Sequence, residues 1–403
     1  MNRLFTLAIL LACSFSVIAQ EKVKKDSKNL KTDVLVVGNN NSAVAAGIQS
    51  AISNVNTILL TKENAFNITP LSKNSSGIEL TFIKKVRESN KSTDTLAPVT
   101  FDDVIANKVI SEWTDSLKKL TVIKNSGWNK FERSGGGWQV KLDDGRTIKA
   151  GVLVYAMKEN LGETVKYDPS EVTTAFDYNS TNYRTSIAGT YIGDKPVFTS
   201  MYSLLKPTEE NLVVANSSDA NMAVGQAAGA TAAYAGFFKT KTSASSLKMI
   251  RTELLTYKLN LLPFSDVVPT DTNWRAIQAI GITGILKAVI NNGEVKFMPD
   301  QQVQFAEIKQ PLKDNSYKVQ LWLDDNPDAP ITLENTITII SYLKPETITA
   351  LKNDIEKKWK TTYQFKSEFD LKSILTRREF AVLLNDKTNL IDVNVDRVGR
   401  VLR

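Results

Sequence analysis

The sequence contains no histidine, and its single cysteine is Cys13, close to the amino terminus. Catalysis by Ser-His-Asp or Cys-His groups, histidine-ligated zinc, iron–sulfur clusters and disulfide bonds are therefore excluded for the rest of the chain. A disulfide reductase mechanism is excluded as well, because it needs a pair of redox-active cysteines. Any chemistry must come from carboxylates, lysine, arginine, tyrosine, hydroxyl groups or a bound cofactor.

Glycine and proline are also scarce, with 19 and 12 of 403 residues, which excludes a collagen-like or low-complexity chain. Beyond residue 19 no apolar run is long enough to span a bilayer. The 50 basic and 43 acidic residues give a net charge of +7, which is too mild to indicate a nucleic-acid partner. The composition therefore predicts an ordinary globular protein with no nucleic-acid partner, no membrane span and no resident metal.

The first 19 residues have the features of a signal peptide. Arg3 supplies a positive start, residues 4–19 are apolar and uncharged, and Val17-Ile18-Ala19 has the form of a cleavage site. This pattern predicts export to a periplasmic or extracellular location. In a second interpretation Leu10-Leu11-Ala12-Cys13 is a lipoprotein box and Cys13 carries the lipid. Residues 20–31 are polar and basic, and we expect them to form a flexible linker.

Residues 32–60 have the order of a βαβ unit. Residues 32–37 form a β-branched run that predicts a strand buried on both faces, and Gly38 ends it. Small residues over 42–53 predict a helix, and residues 57–60 predict a second buried strand.

An antiparallel meander is predicted further along the chain. Hairpin turn signals at 134–137 and 143–145 separate short strands that return into the hydrophobic strand 151–155. Another short strand, 212–215, is followed by a helix of small residues over 221–237.

In this order the segments resemble secreted FAD-dependent oxidoreductases of the glutathione-reductase-like type. The most specific segment is 211–233, where a short strand precedes Gly225-Gln226-Ala227-Ala228-Gly229. The resemblance implies an α/β fold over 32–262, a FAD/NAD(P)-binding Rossmann-like domain with an antiparallel β-meander. It also implies FAD as the cofactor and hydride transfer through the flavin. The implied cofactor-binding residues are Gly38, Asn39, Asn40, Ser42, Ala43, Thr61, Lys62, Ala156, Gly225, Gln226 and Gly229.

The stretch Tyr183 to Ala188 also resembles the family's segment before its last FAD strand, which makes Arg184 a candidate substrate contact. Neither the resemblance nor the residue pattern identifies a catalytic acid or base, the substrate, the electron acceptor or the oligomeric state.

The cofactor motif differs from the family pattern at several positions. Asn40 stands where the family has the glycine closest to the phosphates, and Ala43 replaces the third glycine. The position of the ribose-binding acid falls on Thr61 or Lys62. Two interpretations remain open. Either the chain is a flavin oxidoreductase with a remodelled phosphate site, or it is a pseudoenzyme that kept the fold, lost FAD and acts as an envelope binding or scaffold protein.

Residues 263–403 are predicted to form a smaller, mostly helical α+β domain, with a boundary near residue 262. A pair of strands is expected over 317–323 and 331–342, between helix-loop patterns around 272–308 and 366–386. Leu375 to Leu384 resembles the Thr-Arg-x-Glu helix of S-layer-homology modules, which implies that Arg377 contacts a cell-envelope polysaccharide. The other interpretation is a structural cap on the first domain. The expected partner is thus a small-molecule substrate or an envelope polysaccharide.

Overall fold

The computed structural model describes residues 29–69, 71–92, 99–159, 161, 171–216, 221–388 and 394–402. The predicted signal peptide, with Cys13, lies outside this part of the chain, and so do residues 20–28 of the predicted linker. Within the described residues, no helix combines the length and the apolar character needed to cross a bilayer.

One mixed sheet forms the centre of the molecule. Its strands are β1 (Asn29–Val37), β2 (Thr57–Leu60), β3 (Leu120–Ile123), β4 (Trp128–Ser134), β5 (Gly137–Leu142), β6 (Thr147–Tyr155), β10 (Leu205–Lys206) and β11 (Glu209–Val214). The strands β11, β6, β1, β2 and β3 lie side by side in this order and are all parallel, with Val34 of β1 opposite Thr57 and Val152. Strands β4 and β5 form the predicted antiparallel meander that returns into β6. This arrangement confirms the predicted α/β class with a Rossmann-like sheet.

The first strand begins earlier than the sequence predicts. Asn29 and Leu30 already pair with Thr147 and Ile148 of β6, so residues 29–31 belong to the sheet and not to a linker. These residues are polar or only half-buried at the sheet's end, which is why their pattern does not predict a strand.

Helices cover the sheet, and two of them, α1 and α5, lie close to the helices predicted over 42–53 and 221–237. In the amino-terminal part they are α1 (Asn41–Ile52), α2 (Gly77–Ser89), α3 (Asp103–Asp115), α4 (Met201–Leu204), α5 (Met222–Phe238) and α6 (Leu247–Thr256). Helix α5 begins where the Asn221 side chain accepts a hydrogen bond from Ala223 N at 2.7 Å, and it ends at Lys239 in the left-handed conformation. It contacts β1, β6 and β11 on one side and α1 on another, which explains why it consists of small residues.

A second, three-stranded antiparallel sheet was not predicted. It consists of β7 (Thr173–Ala175), β8 (Ser186–Ile192) and β9 (Lys195–Ser200) in the order β7-β9-β8. Strand β8 packs against α5 and α6.

The carboxyl-terminal part is mostly helical, as predicted, with one small hairpin. Its elements are α7 (Trp274–Thr283), β12 (Val289–Asn291), β13 (Glu294–Lys296), α8 (Phe305–Asn315), α9 (Gln320–Asp325), α10 (Leu333–Leu343), α11 (Ile348–Trp359) and α12 (Arg377–Lys387). The predicted strand pair over 317–323 and 331–342 is wrong, because these segments form a 3₁₀ turn with α9 and the helix α10. The Thr332 side chain accepts a hydrogen bond from Asn335 N and caps α10, and burial of Leu333, Ile337 and Ile340 on one helical face overrides the β-branched composition.

The buried apolar residues of both parts form one continuous cluster that runs through Leu261 and Leu262. At this point the Ser186 hydroxyl donates to the carbonyl of Leu261, and the Gln278 side chain accepts from the amides of Leu261 and Leu262. The domain boundary at residue 262 stays a prediction, and α7 is joined closely to the sheet region across it.

Candidate functional site

The carboxyl ends of β1 and β6 mark the topological switch point of the sheet. From β1 the chain proceeds to β2 and β3 on one side, whereas β6 and β11 lie on the other. Ligands of open α/β sheets bind in the crevice outside the strand ends at such a point. The walls of the crevice are the loop after β1 and the loop after β6, which begin at Gly38 and Ala156.

Gly38 adopts the backbone conformation that the turn after β1 requires. Its φ of 145° lies in the region that glycine alone adopts readily. A Cβ atom here would lie 3.0 Å from the carbonyl oxygen of Ala156 and from Cβ of Ala43. The retained glycine is therefore required by the backbone and by close packing of the two loops.

The side chain of Asn40 closes the crevice between the two loops. Its Oδ1 accepts a hydrogen bond from Ala43 N at 3.0 Å and caps α1. Its Nδ2 donates to the carbonyl oxygen of Ala156 at 2.7 Å. One carboxamide thus occupies the amino terminus of α1 and ties it to the end of β6.

The segment Phe66 to Thr69 covers the same helix terminus. Asn67 N donates to the carbonyl of Asn39 at 2.8 Å, and Asn41 Oδ1 accepts from Thr69 N at 3.0 Å. Phe66 is buried, and its backbone N–H and carbonyl are both bonded to the Asn107 side chain. This segment follows β2.

The Asn40 side chain occupies one of the N–H groups that a dinucleotide would use at this loop. Pyrophosphate binding at a helix terminus needs backbone N–H groups that face the ligand. Ala43 N–H is already bonded to Asn40, and Asn41, Ser42 and Ala43 are buried. A pyrophosphate that used the Ala43 N–H group would have to displace the Asn40 carboxamide.

The end of β2 offers no replacement for the ribose-binding acid at the predicted positions. Thr61 is buried, and its hydroxyl accepts a hydrogen bond from Glu63 N at 3.1 Å. Lys62 is exposed, with its ammonium 4.4 Å from the centre of the Trp128 ring. Both side chains therefore have local structural contacts.

The glycines of α5 lie against α1. A Cβ atom at Gly225 would lie 2.1 Å from the carbonyl oxygen of Ser42, and one at Gly229 would lie 2.5 Å from that of Ala46. Between them, the buried Gln226 side chain donates to Gln49 Oε1 and accepts from Ile78 N, each at 2.9 Å. These predicted cofactor residues join α5, α1 and α2.

A cleft of about 630 Å³ lies beside the closed crevice, and the sequence pattern did not reveal it. It is lined by Asn41, Thr69, Leu71, Ser72, Lys73, Glu79, Tyr191, Ile192, Gly193, Asp194 and Asn221. At its mouth the Lys73 ammonium lies 3.6 Å from Asp194 and 3.9 Å from Glu294. The lining combines apolar and polar side chains and carries both signs of charge.

Glu79 is the buried carboxyl group of this cleft. Burial raises the pKa of Glu79, and hydrogen bonds from the backbone and hydroxyl of Ser72 partly oppose that shift. A buried carboxyl with a raised pKa in a cleft is a typical acid or base candidate. Sequence reasoning missed it, although Ser76-Gly77-Ile78-Glu79 has the S-x-x-E spacing of a helix start.

The two predicted arginine contacts lie outside this cleft. Arg184 donates from Nε to the carbonyl of Thr283 at 3.0 Å.

Arg377 is buried and donates to the carbonyls of Phe297 and Lys287, and it also pairs with Glu307. The neighbouring Arg378 pairs with Asp271 instead. The guanidinium of Arg377 therefore serves internal contacts in this structure.

Within the described part of the chain, no group of three or more Cys, Asp or Glu side chains comes together to hold a metal ion.

No family model matches the sequence, and no curated protein matches it. Solved structures are similar in part. Aquifex aeolicus GidA has 13% identity and a TM-score of 0.24, over 32% of this chain and 26% of that chain. The bacillithiol disulfide reductase Bdr from Staphylococcus aureus has 11% identity and a TM-score of 0.22, over 32% and 38%. The thioredoxin reductase of T. acidophilum has 14% identity and a TM-score of 0.21, over 37% and 38%. The aligned region thus covers less than two thirds of each of these proteins.

Proposed function

We propose that this chain is an exported protein that keeps the fold of FAD-dependent oxidoreductases but works by binding a ligand, without hydride transfer. The observation that carries the proposal is the Asn40 carboxamide, which bonds to Ala43 N and to the carbonyl of Ala156. It blocks the helix terminus on which a dinucleotide's phosphates depend.

The cost of opening the crevice supports this proposal. Two Asn40 hydrogen bonds would be lost, each contributing roughly 0.5–1.5 kcal/mol. The bonds of Asn67 to Asn39 and of Thr69 to Asn41 hold the segment after β2 against the same loop. A dinucleotide would have to compensate for the lost hydrogen bonds, and no carboxylate at position 61 or 62 is present to bind its ribose.

The cleft of about 630 Å³ is the proposed ligand site. Its volume lies within the range of small-molecule pockets. Its side chains offer amides, hydroxyls, one ammonium and the buried Glu79, so we expect a small polar ligand at the cell envelope. An envelope polysaccharide held by Arg377 receives no support from the internal hydrogen bonds of that residue.

A flavin oxidoreductase is the second candidate. The observation that favours it is the sheet itself, because the strand order and the meander are those of a FAD-binding domain. This candidate requires the Asn40 side chain to move away from Ala43 N when FAD binds.

Visible absorption separates the two candidates. The purified protein is measured as isolated and after incubation with excess FAD and removal of free cofactor. We expect no flavin bands in either sample and no change in melting temperature with FAD. A retained two-band flavin spectrum would overturn the proposal.

The Asn40→Gly variant is the matched control for this measurement, since it removes the carboxamide and leaves the buried apolar residues of the fold unchanged. Flavin binding by Asn40→Gly alone would show that Asn40 prevents flavin binding.

Ligand screening by thermal shift, compared between the unchanged protein and Glu79→Gln, tests the cleft. A ligand that stabilises both proteins equally would exclude Glu79 from the binding site.

A further inference from the structure

The wall of the cleft of about 630 Å³ holds a buried amide group without a hydrogen-bond acceptor in the described part of the chain. Asn221 lines the cleft and is only 7% exposed. Its Oδ1 accepts from Ala223 N at 2.7 Å, whereas its Nδ2 donates to none of the described residues. Because a buried N–H group without an acceptor is unfavourable, this amide favours a ligand that supplies one.

Two other polar side chains of the cleft show what remains unused. Asn41 is fully engaged by Thr69, whose N–H it accepts at 3.0 Å and whose carbonyl it reaches from Nδ2 at 3.4 Å. The Tyr191 hydroxyl accepts from Val295 N at 3.1 Å, and no described residue accepts its own hydrogen. The unused groups on Asn221 and Tyr191 are therefore both donors.

Two helices begin at this wall. Asn41 is the first residue of α1, and Asn221 directly precedes the first residue of α5. The Ser42 hydroxyl joins the two starts, since it donates to the carbonyl of Asn221 at 2.9 Å and accepts from Asn221 N at 3.1 Å. The amino terminus of a helix carries partial positive charge that stabilises a nearby negative group. Together with the unused donors, the helix starts favour an anionic acceptor.

The buried carboxyl group of Glu79 is already occupied on both oxygens. One oxygen accepts from the N–H group of Ser72 at 2.9 Å, and the other accepts from the Ser72 hydroxyl. Burial raises the pKa of Glu79, which favours its uncharged form. Both effects reduce the repulsion that this carboxyl group would exert on an anion in the cleft.

The charged groups at the mouth of the cleft balance one another. The Asp194 side chain is 94% exposed and lies 3.6 Å from the Lys73 ammonium. Glu294 lies 2.8 Å from Lys296 and 3.9 Å from Lys73. Separations of 3.6 and 3.9 Å are longer than a hydrogen bond, so the Lys73 ammonium keeps donors for a ligand.

We propose that the cleft binds a small carboxylic acid, whose carboxylate accepts a hydrogen bond from Asn221 Nδ2 beside the starts of α1 and α5. The carbon chain of the acid lies against Leu71 and Ile192, which also line the cleft. This inference rests on the function proposed above and names the class of ligand for the same site.

Ligand-observed NMR titration of the purified protein tests the proposal with three probes of similar shape. The probes are 3-phenylpropionate, 3-phenylpropionamide and 3-phenylpropylamine, which end in a carboxylate, a neutral amide and an ammonium. We expect the carboxylate to bind at least about tenfold more tightly than the amide, because hydrogen bonds to a charged acceptor are the stronger ones. The ammonium probe should bind more weakly than the carboxylate.

Two variants test the amide of Asn221. Asn221→Asp keeps an oxygen that can cap α5 at Ala223 N, but it replaces the donor with a negative oxygen. Its affinity for 3-phenylpropionate should fall at least about tenfold. Asn221→Ser also keeps a cap and adds no charge, and it should lose about fivefold. The melting temperatures of both variants show that the fold is retained.

Asn129→Asp is the matched control, because it makes the same change of charge at an exposed position of β4 that does not line the cleft. It should bind 3-phenylpropionate as the unchanged protein does. Unchanged affinity in both Asn221 variants, or no binding of the carboxylate at millimolar concentration, would overturn the inference.

The other probes separate this inference from the proposed function. If the amide or the amine binds as tightly as the carboxylate, the cleft still binds a ligand, and the assignment of an acid is wrong. Retained flavin bands would instead overturn the proposed function itself.

Discussion

Asn40 connects two distant parts of the chain through one side chain. The Oδ1 atom caps α1 at Ala43, and the Nδ2 atom holds the carbonyl of Ala156. An asparagine at the first position before a helix stabilises it because the side chain satisfies an N–H group that lacks a helical partner. Here the same residue also fixes the relative position of β1 and β6 at the crevice.

Replacing Asn40 with alanine should therefore cost more than the loss of an ordinary helix cap. We expect Asn40→Ala to lower the free energy of unfolding by about 2 kcal/mol, because it removes both the helix cap and the hydrogen bond to the Ala156 carbonyl. The matched control is Asp102→Ala, because Asp102 caps α3 through Ile105 N alone. It should cost about 1 kcal/mol. Equal losses in urea unfolding would show that the Ala156 bond contributes nothing.

Helices α1 and α5 are the pair of elements on which the crevice rests. The Ser42 hydroxyl donates to the carbonyl of Asn221 and accepts from its N–H, so the two helix starts are joined directly. Gly225 and Gly229 allow the two backbones to approach. The small residues of α5 thus have a packing role that needs no cofactor.

At the element scale we predict that Gly225→Ala destabilises the protein strongly. The new Cβ atom would lie 2.1 Å from the carbonyl oxygen and 2.6 Å from Cα of Ser42, so backbone must move. The expected loss is roughly 3 kcal/mol, at the upper end for overpacking.

Gly136→Ala is the control for this substitution, since a Cβ atom there meets nothing within 4 Å. It should change stability by less than about 0.5 kcal/mol. If thermal unfolding shows equal effects for the two variants, the close approach of α1 and α5 is not required for stability.

At the scale of the whole molecule, a charged cluster holds α11 against α12 in the carboxyl-terminal part. Lys358 lies 2.9 Å from Asp354 and 3.1 Å from Asp386, and Lys387 pairs with both carboxylates. Hydrogen bonds from Lys387 and Lys358 lower the pKa of Asp354 from 3.8 to about 2. Folding is therefore linked to the ionised form of this carboxylate.

The cluster should make the protein sensitive to acid. A carboxyl group whose pKa is lowered by folding stabilises the fold above its unfolded value, and that contribution disappears as the pH falls through the folded value. Stability should thus decline between the ordinary value of 3.8 and about 2. In Asp354→Asn this decline should be smaller, as measured by urea unfolding across the same interval.

Asp325→Asn serves as the control for the acid experiment, because Asp325 is exposed and lies outside the cluster. Its pH profile should follow that of the unchanged protein. An unaltered profile in Asp354→Asn would show that the pairs with Lys358 and Lys387 do not couple folding to protonation.

The sequence by itself determined the class of the fold. Buried β-branched runs, hairpin turn signals and the small residues of α1 and α5 depend on neighbours within a few positions, so strand β1, the meander and helix α5 were predictable. Helix α2 and the small sheet of β8 and β9 were not, because their sequences are mixed in composition. Helix α10 was predicted as a strand, since its burial against the rest of the molecule outweighs its β-branched residues.

Only the tertiary structure decided what lies at the end of α1. The sequence showed asparagine in place of glycine at position 40, but not which groups its side chain contacts. The deciding contacts join Asn40 to Ala156 and Asn39 to Asn67, which are far apart along the chain. Local patterns carry no information about such pairs, because only the packing of β1, β6 and the segment after β2 brings them together.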